Sequence, residues 1–247
     1  MKILGIIPAR YGSSRFPGKP LADILGKPMI WWVYQQAIKT KRLDRVIVAT
    51  DHTSIEEICK KFDIPVIMTS NEHVTPTDRL QEVSEKVEAD LYICINGDEP
   101  LVDSKVIEKV IPEKVEKNFY VANLITNIKN SAEVIDNTNL KVVTDSNGFG
   151  VYISRSPIPY PKGSIDYNYK KHVGILAFTK PSLDFYVNTK RGCLETIEDI
   201  DLLRFIENHK VVHFIEAECE SLSVDTPKDL EKVKETISNI YASQILS

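Results

Sequence analysis

Short apolar runs alternate with amphipathic segments in the amino-terminal part of the chain. Three short runs are mainly apolar, as in strands buried on both faces of a parallel sheet: residues 3–7, 45–50 and 91–95. A helix is predicted after Pro28, and the sequence Thr-Ser-Ile-Glu at 53–56 has the form of a capping box that opens another helix. Right-handed crossovers place such helices on both faces of the sheet, so we predict an α/β fold, a three-layer αβα sandwich.

The pattern changes in the second half of the chain. Further strand-like runs lie at 120–126, 140–145, 150–154 and 172–178. A proline-rich stretch, RSPIPYPKG, interrupts them, and we interpret this region as a mixed extension of the sheet that serves as a flap or a dimerisation arm. Helical patterns at 194–208 and 227–241 flank a last strand at 211–217. Because no repeat, low-complexity linker or domain boundary is evident, we predict a single domain over residues 1–247.

Composition narrows the class of protein. The chain has 247 residues, of which 43% are hydrophobic and 27% charged, as in a globular protein with a substantial core. No apolar run approaches the ~20 residues needed to span a bilayer, and the first residues do not resemble a signal peptide, so we expect a cytoplasmic protein without membrane contact. A net charge of -4 without basic clusters argues against nucleic acid as a partner. The four cysteines are widely spaced, which indicates neither a disulfide framework nor a zinc site.

The loop after the first predicted strand, residues 8–20, has the composition of a polyanion site. It carries Arg10, Arg15 and Lys19 among glycines and serines, so that cations and closely approaching backbone amides could both contact a triphosphate. The loop is not a Walker A motif, because Pro20 stands where a metal-binding Ser or Thr is required. The alternative interpretation is a solvent-exposed basic turn.

Two aspartates are candidate magnesium ligands. Asp98 follows the strand at 91–95, and a carboxylate at the carboxyl end of a strand faces the crevice where ligands of open α/β sheets bind. Gly97 beside it suggests close approach of a ligand to the backbone. Asp225 follows an apolar run and precedes Thr226-Pro227, although this arrangement is also typical of a helix N-cap. Magnesium needs only one or two protein carboxylates beside phosphate oxygens and water.

The residues alone leave several functions open. A transferase using UTP or GTP fits the loop and the carboxylates as well as one using CTP. A non-catalytic nucleotide-binding module would not need both aspartates, and a dehydrogenase would require a G-x-G-x-x-G fingerprint, which is absent. No serine or cysteine nucleophile is evident, so a covalent protein intermediate is not expected.

Taken together, these segments resemble the family of 3-deoxy-D-manno-octulosonate (Kdo) cytidylyltransferases. The resemblance extends over nearly the whole chain and rests on IIPARYGSSRFPGKPL, VIVATDH, TDRLQEV, GDEP, YISRSPIP, HVGI and VDTPKDLEKV. It implies a Rossmann-like nucleotide-diphospho-sugar transferase fold, CTP and a sugar acid as substrates, CMP-Kdo and pyrophosphate as products, Mg²⁺ as cofactor, and usually a homodimer. Lipopolysaccharide or capsule synthesis is the implied pathway.

The resemblance also implies roles for individual residues. The implied triphosphate contacts are Arg10, Ser13, Ser14 and Lys19. Thr77 and Arg79 would lie near the cytidine, and Asp98 and Asp225 would carry magnesium. The implied sugar-acid pocket comprises Asn96, Arg155, His172, Glu198 and Asp201. His172 could orient the sugar or assist proton transfer, although a lone histidine at a strand start is often structural.

Three departures from the family pattern concern the acceptor and the nucleotide. Asn96 and Leu202 stand where family members usually have glutamine, and Thr75-Pro76-Thr77 replaces Ser-Gly-Thr. Pro76 has no backbone N–H to offer a ligand. The acceptor could therefore be Kdo, its 8-amino relative or another small acid such as a phosphonate.

The chemistry that follows is an in-line displacement at the α-phosphorus of CTP by the acceptor's anomeric hydroxyl. Catalysis would come from positioning and electrostatics, with Lys19 and Arg10 on the phosphates and magnesium on Asp98 and Asp225.

Overall fold

The structure is a computed structural model that describes residues 1–12, 16–115, 119–164, 167–219 and 222–245. The described strands are β1 (Ile3–Ala9), β2 (Asp23–Ile24), β3 (Lys27–Pro28), β4 (Arg45–Thr50), β5 (Val66–Met68), β6 (Leu91–Ile95), β7 (Val121–Asn127), β8 (Lys141–Thr144), β9 (Gly150–Ser154), β10 (Lys170–Phe178) and β11 (His213–Glu216). The described α-helices are α1 (Met29–Ala37), α2 (Thr53–Lys61), α3 (Pro76–Lys86), α4 (Ser104–Lys109), α5 (Ser131–Ile135), α6 (Lys180–Asn188), α7 (Cys193–Glu198), α8 (Leu203–Glu207) and α9 (Pro227–Ile245).

One mixed sheet of nine strands organises the molecule. Its main path runs β11-β7-β10-β6-β1-β4-β5. β1 pairs in parallel with β4 and β6, whereas β10 is antiparallel to β6 and β7. β8 and β9 form an antiparallel pair attached to the start of β10, which confirms the predicted mixed extension.

Side chains alternate between two cores on opposite faces of the sheet, as the period of a strand requires. In β1, Ile3 and Ile7 pack with α1, α2 and α4, whereas Leu4 and Ile6 pack with α3, α6 and α8. β6 alternates in the same way. The predicted αβα sandwich is therefore confirmed, and the strands predicted at 45–50 and 91–95 have the predicted bounds.

Two predictions about helices are corrected. The cap of α2 is His52, whose side chain accepts a hydrogen bond from the Ser54 amide, so no capping box begins at Thr53. The helical stretch predicted at 194–208 is divided into α7 and α8, because Asp199 adopts the left-handed conformation with φ 52°. That turn brings residues 199–202 to the cavity described below.

The carboxyl-terminal helix α9 packs against α1. Leu230, Val233 and Ile237 pack in a third apolar cluster with Met29 and Trp32. Within the described ranges, α9 included, no helix has the length and hydrophobicity to cross a membrane.

Candidate active site

A cavity of about 320 Å³ opens at the carboxyl ends of β1 and β6, where ligands of α/β sheets bind. Its walls include the ends of β1 and β6, the segment with Lys19, the amino end of α3, the β10 segment with His172, the turn between α7 and α8, and the segment with Asp225 before α9. The predicted site residues on these walls are Arg10, Lys19, Thr77, Arg79, Asn96, Asp98, His172, Asp201 and Asp225.

The phosphate-binding loop presents Lys19 to both candidate metal ligands. Its ammonium Nζ lies 2.8 Å from Asp98 Oδ2 and 3.5 Å from Asp225 Oδ1. Gly18 precedes it at φ 69°, a left-handed conformation that glycine adopts without steric cost. Arg10 is exposed at the cavity mouth. Ser13 and Ser14, predicted triphosphate contacts, lie outside the described residues.

The segments that bring Asp98 and Asp225 to Lys19 are joined through the backbone. The Val224 amide donates to the Asp98 carbonyl oxygen at 2.9 Å, which anchors the VDTP segment beside the end of β6. A Cβ on Gly97 would lie 2.9 Å from the Pro8 carbonyl oxygen. The adjacent strand β1 therefore requires glycine at position 97, and because Gly97 also lines the cavity, close approach of a ligand stays a prediction.

The alternative interpretation of Asp225 as a helix cap is wrong. The α9 amino end is capped by Thr226 and Asp229. The Thr226 hydroxyl lies 3.3 Å from the Asp229 amide, and the Asp229 carboxylate accepts from the Thr226 amide at 2.9 Å. The Asp225 carboxylate contacts Lys19 instead.

The amino end of α3 forms another wall. Thr75 and Asp78 make a capping box, and Pro76 occupies the first helical position, where a missing N–H costs little. The Thr77 hydroxyl donates to Asp201 Oδ2 at 2.6 Å. Arg79 is buried and paired with Asp51 at 2.9 Å, so its guanidinium is anchored within the wall.

Asp201 lies opposite α3, on the turn between α7 and α8. Burial raises the pKa of its carboxyl group, although the hydrogen bond from Thr77 opposes the shift. This carboxyl therefore holds its proton more tightly than an exposed aspartate.

His172 is held by the sheet. Its Nδ1 lies 2.9 Å from Asn123 Oδ1, and the Asn123 amide group donates to the carbonyls of Val173 and Ile175. That arrangement assigns Asn123 Oδ1 as acceptor and places the histidine proton on Nδ1. Burial lowers the pKa of His172 to about 4, so the ring is neutral at neutral pH and Nε2 carries the lone pair.

Arg155 and Glu198 are placed differently from the expectation of a sugar-acid pocket. Neither is among the described residues that line the cavity. The Arg155 guanidinium donates to the carbonyls of Glu198 at 2.6 Å and Asp199 at 3.1 Å, and the Glu198 carboxylate accepts from the Ser154 hydroxyl and the Arg155 amide. Because these groups are engaged with each other and with the backbone, they support the 199–202 turn from behind. Contact with substrate stays a prediction for both.

Sequence reasoning missed part of the wall. Arg191 lines the cavity and lies 3.0 Å from Asp199 Oδ1 and 3.1 Å from Glu195 Oε1. Thr75 and Asp199 line it too. No sequence pattern marks an aspartate in the left-handed conformation. The charged residues on both sides of the predicted helical stretch were the available indication that this part of the chain contributes to a site. Leu202, at a family glutamine position, is 1% exposed and packs in the core, so it presents an apolar surface.

The fold and the cavity, with its paired carboxylates and adjacent cations, define a nucleotidyltransferase. The cytidylyltransferase family model matches residues 4–236. The 3-deoxy-manno-octulosonate cytidylyltransferase of Trichlorobacter lovleyi is 40% identical, over 95% of this chain and 98% of that protein. The 8-amino-3,8-dideoxy-manno-octulosonate cytidylyltransferase of Shewanella baltica is also 40% identical, over 96% and 99%. The solved structure of CMP:2-keto-3-deoxy-manno-octonic acid synthetase with CTP matches with a TM-score of 0.91 and 40% identity, over 97% of this chain and 99% of that one.

The chain therefore belongs to the family of 3-deoxy-manno-octulosonate cytidylyltransferases, and the resemblance inferred from its motifs is confirmed. It is a CTP-dependent nucleotidyltransferase.

Proposed function

We propose that this protein transfers CMP from CTP to Kdo, releasing pyrophosphate, with Mg²⁺ held by Asp98 and Asp225. The CMP-sugar would supply lipopolysaccharide or capsule synthesis. The observation that carries the proposal is the convergence of Lys19, Asp98 and Asp225, from three distant parts of the chain, on one cavity.

The donor set supports a hard divalent cation. Two carboxylates, 25% and 27% exposed, approach one ammonium group from separate segments, so negative charge is concentrated where a metal would sit. Oxygen donors of this type suit magnesium, which retains water and phosphate oxygens as its other ligands. When bound, magnesium would neutralise charge on the phosphates of CTP.

The chain's own residues would supply the remaining steps by positioning. Lys19 and Arg10 would hold the triphosphate so that pyrophosphate leaves opposite the attacking anomeric hydroxyl. Positive charge fixed at Lys19 would stabilise the negative charge that develops on the leaving group. The neutral Nε2 of His172 can accept a hydrogen bond from an acceptor hydroxyl.

Kdo and its 8-amino relative are the two candidate acceptors. Sequence identity is 40% to relatives named for Kdo and for its 8-amino form, so identity does not separate the two. Asn96 and the apolar surface of Leu202 both line the cavity where longer polar side chains are usual in the resembled family.

The test is pyrophosphate release from CTP with Mg²⁺ and either Kdo, 8-amino-Kdo or no acceptor. We expect release that depends on a sugar acid and on magnesium, with CTP preferred over UTP and GTP. Release that needs no sugar acid, or that is equal for UTP, would contradict the proposal.

We also propose that the chain acts as a homodimer. The expectation is supported by apolar residues on and after β9, since Val151 is 54% exposed and Tyr160 is 85% exposed. Light scattering after size-exclusion chromatography gives the mass in solution. Val151→Lys is expected to shift it towards the monomer, and an unchanged mass would place the interface elsewhere.

A further inference from the structure

A buried polar cluster behind the cavity wall has no part in the proposed chemistry. It consists of Tyr186 and Glu195, both 0% exposed, and Arg204, 6% exposed. Arg204 Nε and Nη2 each donate to one oxygen of Glu195 at 2.6 Å. Nη1 donates to the carbonyls of Tyr186 and Thr189, and the guanidinium carbon lies 3.7 Å from the centre of the Tyr186 ring. The positive charge of Arg204 and the negative charge of Glu195 thus compensate each other, and two hydrogen bonds join the two groups.

This cluster holds the turn between α7 and α8. Glu195 belongs to α7 and Arg204 to α8, so their ion pair closes the base of the turn formed by residues 199–202. That turn is the cavity wall with Asp201. The amide of Glu195 also donates to the carboxylate of Glu207, which joins the two helices a second time.

Tyr186 connects this wall to the opposite one. Its hydroxyl oxygen lies 3.0 Å from Thr75 Oγ1, the cap of α3, and 3.3 Å from Glu195 Oε1. Burial raises the pKa of the Tyr186 phenol, so the hydroxyl keeps its proton for these contacts. A second link runs from Thr77 on α3 to Asp201. The α3 wall and the 199–202 wall are therefore joined at two points.

We propose that Tyr186 is a positioning residue that sets the amino end of α3 relative to the 199–202 turn, and so aligns the nucleotide with the acceptor. The inference rests on the proposed transfer reaction. CTP is expected on the α3 side and the sugar acid near Asp201, and in-line transfer depends steeply on the alignment of the two reactants.

The test is Tyr186→Phe, which removes the hydroxyl and keeps the ring under Arg204. At saturating CTP and Mg²⁺, we expect kcat/KM for the sugar acid that the wild type uses to fall about tenfold. The Kd for CTP, measured without acceptor, should stay within about twofold, because the Thr75–Asp78 capping box keeps α3 formed.

Tyr92→Phe is the matched control. Tyr92 is also 0% exposed, and its hydroxyl donates to the Val87 carbonyl and accepts from the Ala89 amide, both at 3.0 Å and away from the residues that line the cavity. We expect both variants to lose similar thermal stability and only Tyr186→Phe to lose acceptor kinetics.

Three outcomes overturn the inference. Unchanged acceptor kinetics in Tyr186→Phe with an active wild type would assign the cluster to stability alone. A parallel rise in the Kd for CTP would show that the hydroxyl acts on CTP binding and not on the alignment of the two reactants. A wild type that releases no pyrophosphate with either Kdo or 8-amino-Kdo would contradict the proposed function, and this inference with it.

Discussion

Two sets of charged groups differ in their exposure to water. One is the phosphate corner, formed by Lys19, Asp98 and Asp225, and the other is the pair of Glu195 and Arg204 in the buried cluster. At the phosphate corner, Lys19 is 15% exposed and lies between two partly exposed aspartates. In the buried cluster, Arg204 and Glu195 are almost completely removed from water and held by two hydrogen bonds of 2.6 Å. Lys19 and its two aspartates come from segments that are distant in sequence, whereas Glu195 and Arg204 belong to the consecutive helices α7 and α8.

The difference in exposure indicates which charges can change partners. Water reaches the contacts of Lys19 in part, so exchanging a carboxylate for a phosphate oxygen costs less there than breaking a fully buried pair. A buried guanidinium has no such alternative, because loss of its carboxylate leaves an uncompensated charge in a low-dielectric interior. We therefore expect the phosphate corner to bind a ligand and the buried cluster to hold the walls of the cavity in place.

Arg204→Met should produce the largest effect. It leaves the Glu195 carboxylate buried without its main partner, and we expect the free energy of unfolding to fall by about 3–5 kcal/mol in urea titrations. Lys180→Met is the control, since Lys180 pairs with Glu85 and Asp184 on the surface and should change stability by less than about 1 kcal/mol. Equal losses in the two variants would remove the distinction between buried and exposed pairs.

Asp98→Asn and Asp225→Asn should lower turnover and leave stability unchanged, in contrast to Arg204→Met. Each removes one negative charge from the candidate metal site with little change in size, so turnover is expected to fall about 10²–10³-fold while the melting temperature is retained. Turnover is measured over a magnesium titration. Near-normal turnover in either variant would contradict its role as a metal ligand.

Lys19→Ala tests the cation at the same corner. We expect a loss of about 3 kcal/mol in transition-state stabilisation, measured as kcat/KM for CTP. Lys19→Arg keeps the charge and should recover part of that loss. A Lys19→Ala protein altered only in thermal stability would instead support the exposed basic turn.

The two regions also differ in how far sequence could predict them. The strands at 45–50 and 91–95 were predicted with the observed bounds because burial on both faces produces an uninterrupted apolar run. Lys19 and Asp98 were predicted to lie at the site because each belongs to a loop that follows a buried strand. The approach of Asp225 to Lys19 involves contacts between distant segments, the Val224 backbone hydrogen bond and the burial of Val224 in the third apolar cluster, which no local pattern encodes.

The buried cluster was not predictable in the same way. Glu195 and Arg204 lie within a stretch that has a helical pattern, and their pairing requires the break at Asp199, where neither glycine nor proline marks a turn. Gly97 shows the converse problem, because the neighbouring Pro8 carbonyl is enough to require glycine there, and the sequence pattern does not reveal that contact. Tertiary contacts decided both cases.

His172 offers the smallest and most specific test, because it lines the cavity yet is bound into the sheet like the buried cluster. Its pKa is lowered from 6.5 to about 4, so between these values the unfolded chain binds a proton that the folded protein does not. Stability therefore falls as the pH falls through this window, and the contribution of His172 is a loss of about 2 kcal/mol at pH 5 relative to neutral pH.

Asp201, whose pKa is raised, acts in the opposite direction, so the pH dependence of wild-type stability alone does not isolate the histidine. We expect His172→Gln to lack this loss, so that the unfolding free energies of the two proteins approach each other, or cross, on acidification. A stability difference that is constant from neutral pH to about pH 5 would show that the pKa of His172 is the same in the folded and unfolded chain, which would contradict its burial as a neutral ring.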